Sequence, residues 1–464
     1  MADREISRIQ TPYKVSAQSR LAALLGGDLD FHDGDSGYAS HNFHSFPAKF
    51  PPQLPRKFIE NLTEPGDVVL DPMVGSGTTV VEALLAGRKG MGFDIDPLAL
   101  LLSQVKVSDL EPQQAAREGE RVLKGARKAV QEKRSALLDE LAGRWDEKTR
   151  AFVDYWFAQE TQLELLGLIR EIEKVSDLVI RQFLEIAFSS IIITKSGGVS
   201  LAFDLAHTRP HRAKVVLSQS GQVLVGHELV GSASRRVQLL TKTLRSPLDE
   251  FARRLHRNLE GLLKYKPGMF PPDISFGDAQ RMPLEDESID LIVTSPPYIA
   301  NAIDYIRAHK FSLVWLGYPL DDLSRRRREY IGGESISDVD FEPVPEFTAQ
   351  VITAVANRDE KKGRVVHRYY SEMTRILREM YRVLKPDSAA VLIVGTSIVK
   401  GVDTRIEDCL VDIGQQIGFE VSKIGIRSLD RNRRMLPAGL EIDQGSQIQQ
   451  RMHEEYVIGF YTPH

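Results

Sequence analysis

The sequence predicts an α/β fold: a mostly parallel sheet with helices on both faces, plus a large, mainly helical insertion. Three observations predict it. Strand-like and helix-like segments alternate near the start (DVVLDP, TTVVEALLAG, KGMGFDID) and again later (SIDLIVTSPPY, YYSEMTRILREMYRVLKP, AAVLIVG), the rhythm of parallel βαβ units. A glycine-rich turn joins the first strand directly to its helix. Between the two α/β stretches, residues 107–271 lose that rhythm and take on helical periodicity.

Taken in order, residues 1–36 read as a loosely structured arm with one short helix (VSAQSRLAALL) and a Gly/Asp-rich stretch. Residues 37–106 read as loop, helix (LPRKFIENL), strand, glycine turn, helix, strand and helix (PLALLLSQVKV), the first part of a catalytic domain. In the insertion, 107–271, a long charged helical stretch comes first. Leu163, Leu166, Ile169 and Ile172 then recur on one helical face, and FLEIAFSSIIIT is apolar all round and predicts a buried helix. A hairpin over KVVLSQSGQVLVG and a helix over about 236–264 close it. The α/β pattern resumes at 272 and runs to 464. Within this part, 319–367 reads as a loop-rich, charged segment, and the two final strands are EVSKIGIRSL and EEYVIGFYT.

Composition excludes some classes. The longest apolar run, Ile186 to Thr194, is far too short for a bilayer span, and MADREISRIQ lacks the basic-then-apolar start of a secretory signal. The reading is a cytoplasmic protein. The single cysteine, Cys409, permits no internal disulfide, and the sequence has no zinc-type Cys/His spacing. It falls in an amphipathic helix, IEDCLVDIGQQIGF, and is expected to pack in the core. Chemistry that needs a cysteine nucleophile beside a cofactor is therefore disfavoured. With 60 basic and 64 acidic residues the net charge is −4, so any polyanion must be met by local patches. Two basic clusters qualify: Arg325, Arg326, Arg327 and Arg328, and Arg427 with Arg431, Arg433 and Arg434.

Three motifs carry the chemistry. Asp71-Pro72-Met-Val-Gly75-Ser-Gly77-Thr78-Thr79 lies between strand and helix, where glycines allow a sharp turn and close approach to a ligand and the helix start offers unpaired amides. The next strand ends in Asp94-Ile-Asp96-Pro97. A carboxylate at that tip, Asp94, can accept from both ribose hydroxyls of a nucleoside cofactor. Asp96, just before Pro97, reads as a helix N-cap. The third motif is Thr294-Ser295-Pro296-Pro297-Tyr298 at the end of a strand. The Ser295 side chain and the Pro296 carbonyl could accept from the two hydrogens of an exocyclic amine, Pro297 stiffens the loop, and Tyr298 could stack on a flipped base.

DPMVGSGTT, FDID and TSPPY in this order resemble the S-adenosylmethionine-dependent DNA amino-methyltransferases that modify N6 of adenine or N4 of cytosine. The segment Phe46-Pro47-Ala-Lys49-Phe50-Pro51 resembles that family's element over the methionine end of the cofactor. The resemblance covers roughly 41–106 and 272–464. It implies a Rossmann-like class I methyltransferase sheet, S-adenosyl-L-methionine as cofactor and double-stranded DNA as partner. It also implies direct methyl transfer without metal, with a restriction endonuclease or defence system as a further partner. Cofactor contacts are implied at Phe46, Pro47, Lys49, Asp71, Pro72, Gly75, Gly77, Thr78, Asp94 and Asp278, with Asp278 near the adenine. Serine before the two prolines resembles the cytosine-N4 group. Two features depart from it: Phe46 stands where many such enzymes have histidine, and the cofactor motif precedes the catalytic one. Adenine N6, an RNA base, and a non-catalytic cofactor-binding subunit remain open alternatives. Target recognition is expected from the insertion, including His207, Arg209, His211 and Arg212, or from 319–367, with Arg325 to Arg328 on phosphates.

Overall fold

In the computed structural model the described residues are 16–47, 49–194, 196–205, 210–226, 241–267, 269–299, 304–337, 339–429 and 454–463. Seven strands form the main sheet: β1 (Val68–Asp71), β2 (Lys89–Asp94), β3 (Asp273–Phe276), β4 (Ile289–Thr294), β5 (Leu384–Gly395), β6 (Glu420–Ser428) and β7 (Glu454–Tyr461). Their spatial order is β6-β7-β5-β4-β1-β2-β3. The first five run parallel, whereas β7 is antiparallel to both β5 and β6. This is the Rossmann-like class I methyltransferase sheet. The central strands β4 and β5 are covered on both faces, which explains the apolar runs LIV in β4 and AAVLIVG in β5.

Helices α1 (Ala17–Leu25), α2 (Gln53–Leu62), α3 (Thr78–Leu85) and α4 (Pro97–Lys106) come first in the chain. With α1 and α2, one face of the sheet closes over Val69, Leu291, Val293, Val391 and Ile393. The opposite face carries Leu70, Ile292 and Leu392 against later helices. Of the later helices, α5 (Tyr305–Leu313), α6 (Leu320–Glu329), α7 (Glu346–Ala356), α8 (Glu360–Val383) and α9 (Ile406–Ile417), the last three supply that cover.

Two readings are corrected. Residues from Ala17 onward are no loose arm: Leu21, Leu25 and Leu29 are buried against β5 and β7. Gly425 and Gly459 supply the notch that admits them, since a Cβ on either would collide with Leu25 or Leu29. Likewise 319–367 is mainly helical, comprising α6, α7 and the start of α8. Its charge hid the periodicity, because only a narrow apolar stripe on each helix faces inward: Leu323 on α6, and Thr348, Val351 and Val355 on α7.

Between α4 and β3 the described residues form six helices: Pro112–Glu132, Arg134–Gly143, Glu147–Trp156, Gln159–Glu173, Leu178–Ile192 and Pro247–Glu260. The long charged stretch is thus two helices, and the helix expected over 236–264 is shorter. The expected hairpin pairs Val215–Leu217 with Val223–Val225. His207 and Arg209 lie outside the described residues. These helices share one apolar core with α4 and α5: Phe183, Phe188 and Phe251 pack in the same cluster as Leu98, Leu102, Phe311 and Trp315. Cys409 is fully buried on α9, and burial pushes its thiol up to about 11. Lys385 and Pro386 follow the end of α8 and begin β5, with a register irregularity before Ala389.

Candidate active site

β1 and β4 are adjacent and parallel, so their C-terminal ends share one edge of the sheet. The glycine turn and the TSPPY loop therefore meet, although they are far apart in the chain. A hydrogen bond joins them directly: Thr294 Oγ1 donates to Asp71 Oδ1 at 2.6 Å. Thr79 Oγ1, in the first turn of α3, also donates to the Val293 carbonyl at 3.0 Å.

The turn needs its glycines. Gly75 and Gly77 have φ of +47° and +77°, a region costly for residues with a Cβ. A Cβ on Gly77 would lie 2.9 Å from that of Ser103 on α4. Two side chains brace the turn. Asp94 Oδ2 accepts from the Gly75 amide at 2.9 Å, and Lys106 Nζ, almost wholly buried, donates to the Ser76 carbonyl at 2.6 Å.

A cleft of about 840 Å³, its open mouth included, lies above this edge. Its lining unites the cofactor candidates Phe46, Lys49, Asp71, Pro72, Gly75, Thr78, Asp94 and Asp278 with Ser295 and Pro297. Gly77 and Pro47 sit just behind the lining as turn and support. Pro296 and Tyr298 of the loop are buried and do not line the cleft. The Tyr298 hydroxyl donates to Glu455 Oε1 at 3.3 Å. Tyr298 therefore shows no open ring face for a flipped base in this structure.

The floor is acidic. Burial pushes Asp71 up to about 6 and Asp94 up to about 7, Asp96 adding to the rise at Asp94. Asp96 behaves differently. It caps α4, accepting from the amides of Leu98 and Ala99 at 2.8 and 3.2 Å, and its Oδ2 lies 2.6 Å from His309 Nδ1. Burial raises its carboxyl, but His309 and the amides outweigh burial and leave it below the usual range. Asp278 is exposed at the end of β3 and accepts from the Gln280 amide at 2.9 Å.

Aromatic rings close one side. Phe46 stacks on Tyr305 with centroids 5.5 Å apart and leans on His309 at 5.1 Å. Tyr305, Tyr330 and Ile331 also line the cleft. None of these three, nor His309, Lys106 or Glu455, was marked by the sequence motifs. Only the run IDYIRAHKF, following TSPPY on a short loop, hinted at Tyr305 and His309.

The four consecutive arginines all lie on α6. At about 100° per residue they spread around most of the helix and cannot form one face. Arg327 pairs with Asp304, Nε to Oδ2 at 2.8 Å, and Arg325 pairs with Asp322. Arg427 is buried and paired with Glu455, so it is no phosphate ligand in this arrangement. Its companions 431, 433 and 434 lie outside the described residues. Among the described residues no helix is long and apolar enough to cross a membrane, and no cluster of ligands suits a metal ion.

Residues 28–104, which include the Phe46 segment, the glycine turn and Asp94, match the N6_N4_Mtase family model, described as DNA methylase. The Type II methyltransferase M.MvaI of Kocuria varians is 25% identical over 389 residues, covering 80% of this chain and 80% of its own length. The Type II methyltransferase M.BsoBI of Geobacillus stearothermophilus is 19% identical over 468 residues, covering 90% of this chain and 86% of its own. A local stretch of 60 residues is 47% identical to the Type II methyltransferase M.BglI of Bacillus subtilis, 13% of this chain and 17% of that one. The glycine turn, the acid-tipped second strand and the TSPPY loop thus gather at one sheet edge in a chain whose residues 28–104 are similar to N6/N4-type DNA methylases.

Proposed function

We propose that this chain methylates the exocyclic N4 amine of cytosine in double-stranded DNA, with S-adenosyl-L-methionine as donor. The observation that carries the reading is the Ser295 side chain lining the same cleft as Asp71 and Asp94. An amine acceptor and a site for a nucleoside-linked cation thus share one space.

The cleft suits that cofactor chemically. Its carboxylates, buried Asp71 and half-buried Asp94, and the rings of Phe46 and Tyr305 complement a positive charge. The first turn of α3 offers amides to an anionic end. When bound, S-adenosylmethionine supplies an electrophilic methyl group. The protein's task is then position. Ser295 accepts from an amine hydrogen and turns the amine's lone pair toward the donor. Asp94 takes the ribose hydroxyls, and Phe46 with Tyr305 keeps water from the cationic end. The target base reaches Ser295 only once extruded from the duplex. In this reading Tyr298 supports Ser295 from beneath instead of stacking on the base.

The choice of cytosine rests on serine at position 295. The description of the matching family model, DNA methylase, supports the DNA substrate, and a nuclease sharing the recognition sequence is the partner that the reading implies. The test is methylation of defined duplexes with labelled cofactor, followed by separation of the nucleosides. N4-methylcytosine is expected, and Ser295→Ala should lower turnover by at least about 100-fold, the scale of one lost transition-state hydrogen bond. N6-methyladenine as the sole product would overturn the base assignment. Transfer to structured RNA in preference to duplex would overturn the substrate class.

A further inference from the structure

The wall of the cleft formed by Tyr330 and Ile331 is held from behind by one buried ion pair. Residues 330–333 make a tight turn just after α6, closed by the Gly333 amide donating to the Tyr330 carbonyl at 3.1 Å. The third residue of the turn, Gly332, has φ of +73°, a conformation that glycine adopts most readily. A close approach also requires glycine: a Cβ there would stand 3.0 Å from the carbonyl oxygen of Tyr298 in the catalytic loop. The turn thus borders the cofactor cleft through Tyr330 and Ile331 and the catalytic loop through Gly332.

Arg368 and Glu372 lie one turn apart on α8, and each is 5% exposed. Arg368 Nε donates to Glu372 Oε1 at 2.7 Å. Arg368 Nη2 donates to the carbonyls of Arg328 and Tyr330 at 2.9 and 3.1 Å, and Nη1 donates to that of Ser335. Glu372 Oε2 accepts from the Gly332 amide at 2.8 Å. The pair therefore grips the backbone at 328, 330, 332 and 335. The carbonyls at 328 and 330 are of the kind left without a partner at the C-terminal end of a helix, here α6, and a cation suits that end in charge as well as in geometry. Burying two charges is costly unless further hydrogen bonds satisfy them, and here the turn supplies those bonds.

We infer that Arg368 and Glu372 are positioning residues for cofactor binding, seating the 330–333 turn so that Tyr330 and Ile331 wall the same space as Asp94 and Asp96. The inference rests on the proposed S-adenosylmethionine-dependent function and deepens it. Neither residue lines the cleft, so each acts through the backbone it holds. The apparent dissociation constant of a ligand is its intrinsic value divided by the fraction of molecules already in the competent conformation. Seating the turn in the free protein keeps that fraction near one, which is pre-organisation of the site. A loosened turn weakens cofactor binding, whereas saturating cofactor restores the wall and, with it, turnover.

Two variants test this. Glu372→Gln keeps the size of the side chain but offers one acceptor oxygen where the carboxylate offered two. The charged Arg368 claims that oxygen, and the amide NH₂ then faces the Gly332 N–H, donor against donor. Hydrogen exchange at the Gly332 amide of the free protein should quicken by at least about 10-fold. The Kd for S-adenosylmethionine, measured by calorimetry, should rise by about 10-fold, the scale of one lost hydrogen bond to a charged group. The KM for S-adenosylmethionine should rise in step while kcat at saturating cofactor stays within about 2-fold of wild type. The second variant, Arg368→Met with Glu372→Met, separates positioning from support. Removing one charge of a buried pair leaves the other uncompensated, whereas replacing both with apolar side chains recovers stability. The double variant should melt above Arg368→Met alone, yet bind S-adenosylmethionine at least about 10-fold more weakly than wild type, because the turn has lost its partners. It is read against wild type even where Arg368→Met alone does not fold. Unchanged exchange or wild-type affinity in Glu372→Gln, or affinity restored together with melting temperature in the double variant, would each overturn the inference while leaving the methyltransferase reading intact. A wild-type chain that binds no S-adenosylmethionine would overturn that reading as well.

Discussion

Gly77→Ala tests the geometry of the cofactor turn with a single methyl group. Two independent costs arise. The first is conformational: Gly77 has φ of +77°, and a left-handed conformation costs a residue with a Cβ about 1–2 kcal/mol. The second is steric: the new Cβ would stand 2.9 Å from Ser103 Cβ and 3.0 Å from Ser103 Cα. The Cα belongs to the backbone of α4 and cannot turn away, so overpacking adds about 1–3 kcal/mol. Together they predict a loss of about 2–5 kcal/mol in urea unfolding. Cofactor affinity measured by calorimetry should fall as well, because relief by displacement moves α3 relative to α4, and with it Thr78 and Asp96 in the lining. Ser103→Gly separates the two costs. It removes the Cβ collision but not the conformational one, so in a double-mutant cycle Gly77→Ala should cost less in that background than in wild type. A loss below about 0.5 kcal/mol, no more than an ordinary surface substitution, or full additivity in the cycle, would refute the reasoning.

Three further outcomes follow from the site. Burial holds Asp94 neutral up to about pH 7 and Asp71 up to about pH 6 in the free protein. A raised carboxyl contributes stability at low pH that is lost as pH rises through the folded value. A cationic cofactor favours the ionised form, so its affinity should rise across the same window. Asp94→Asn should flatten both trends, which calorimetry and melting across that range would check. Thr294→Val removes the 2.6 Å hydrogen bond to the buried Asp71 and should cost about 1–3 kcal/mol by denaturant unfolding; an unchanged midpoint would count against that link. On α6, Arg328→Gln should lower the slope of log affinity against log salt for duplex DNA by about 0.9 if Arg328 contacts one phosphate. Arg327→Gln should instead lower stability, because Arg327 is tied to Asp304; the reverse pattern would reassign the two residues.

How far the fold could be read from sequence depended on whether the evidence was contiguous. Asp71, Gly75, Gly77, Asp94 and Ser295 were legible because each sits in a short run at a strand end, where backbone geometry limits the residue types. That β1 and β4 lie side by side was not legible, because strand alternation predicts parallel units but not which strands become neighbours. The residues that complete the site were illegible because they arrive from elsewhere. Tyr330 ends a helix too charged to show its apolar stripe, and Glu455 matters only through its register opposite Arg427. Arg427 itself looked like part of a surface patch, since a charged residue in a β-strand gives no sign of which partner will bury it. The segment 16–36 seemed loose for a similar reason. Its anchoring depends on two glycines in strands at the far end of the chain, Gly425 and Gly459.

The Thr294–Asp71 bond also bears on how the two substrates of such an enzyme would communicate. It spans the rims of β1 and β4 with no intervening side chain, so whichever ligand orders one rim also orders the other. The first to bind bears the entropic cost for both, and the second binds to a framework already stilled. Thermodynamic linkage then makes the effect mutual: the factor by which donor tightens the duplex must equal the factor by which duplex tightens donor.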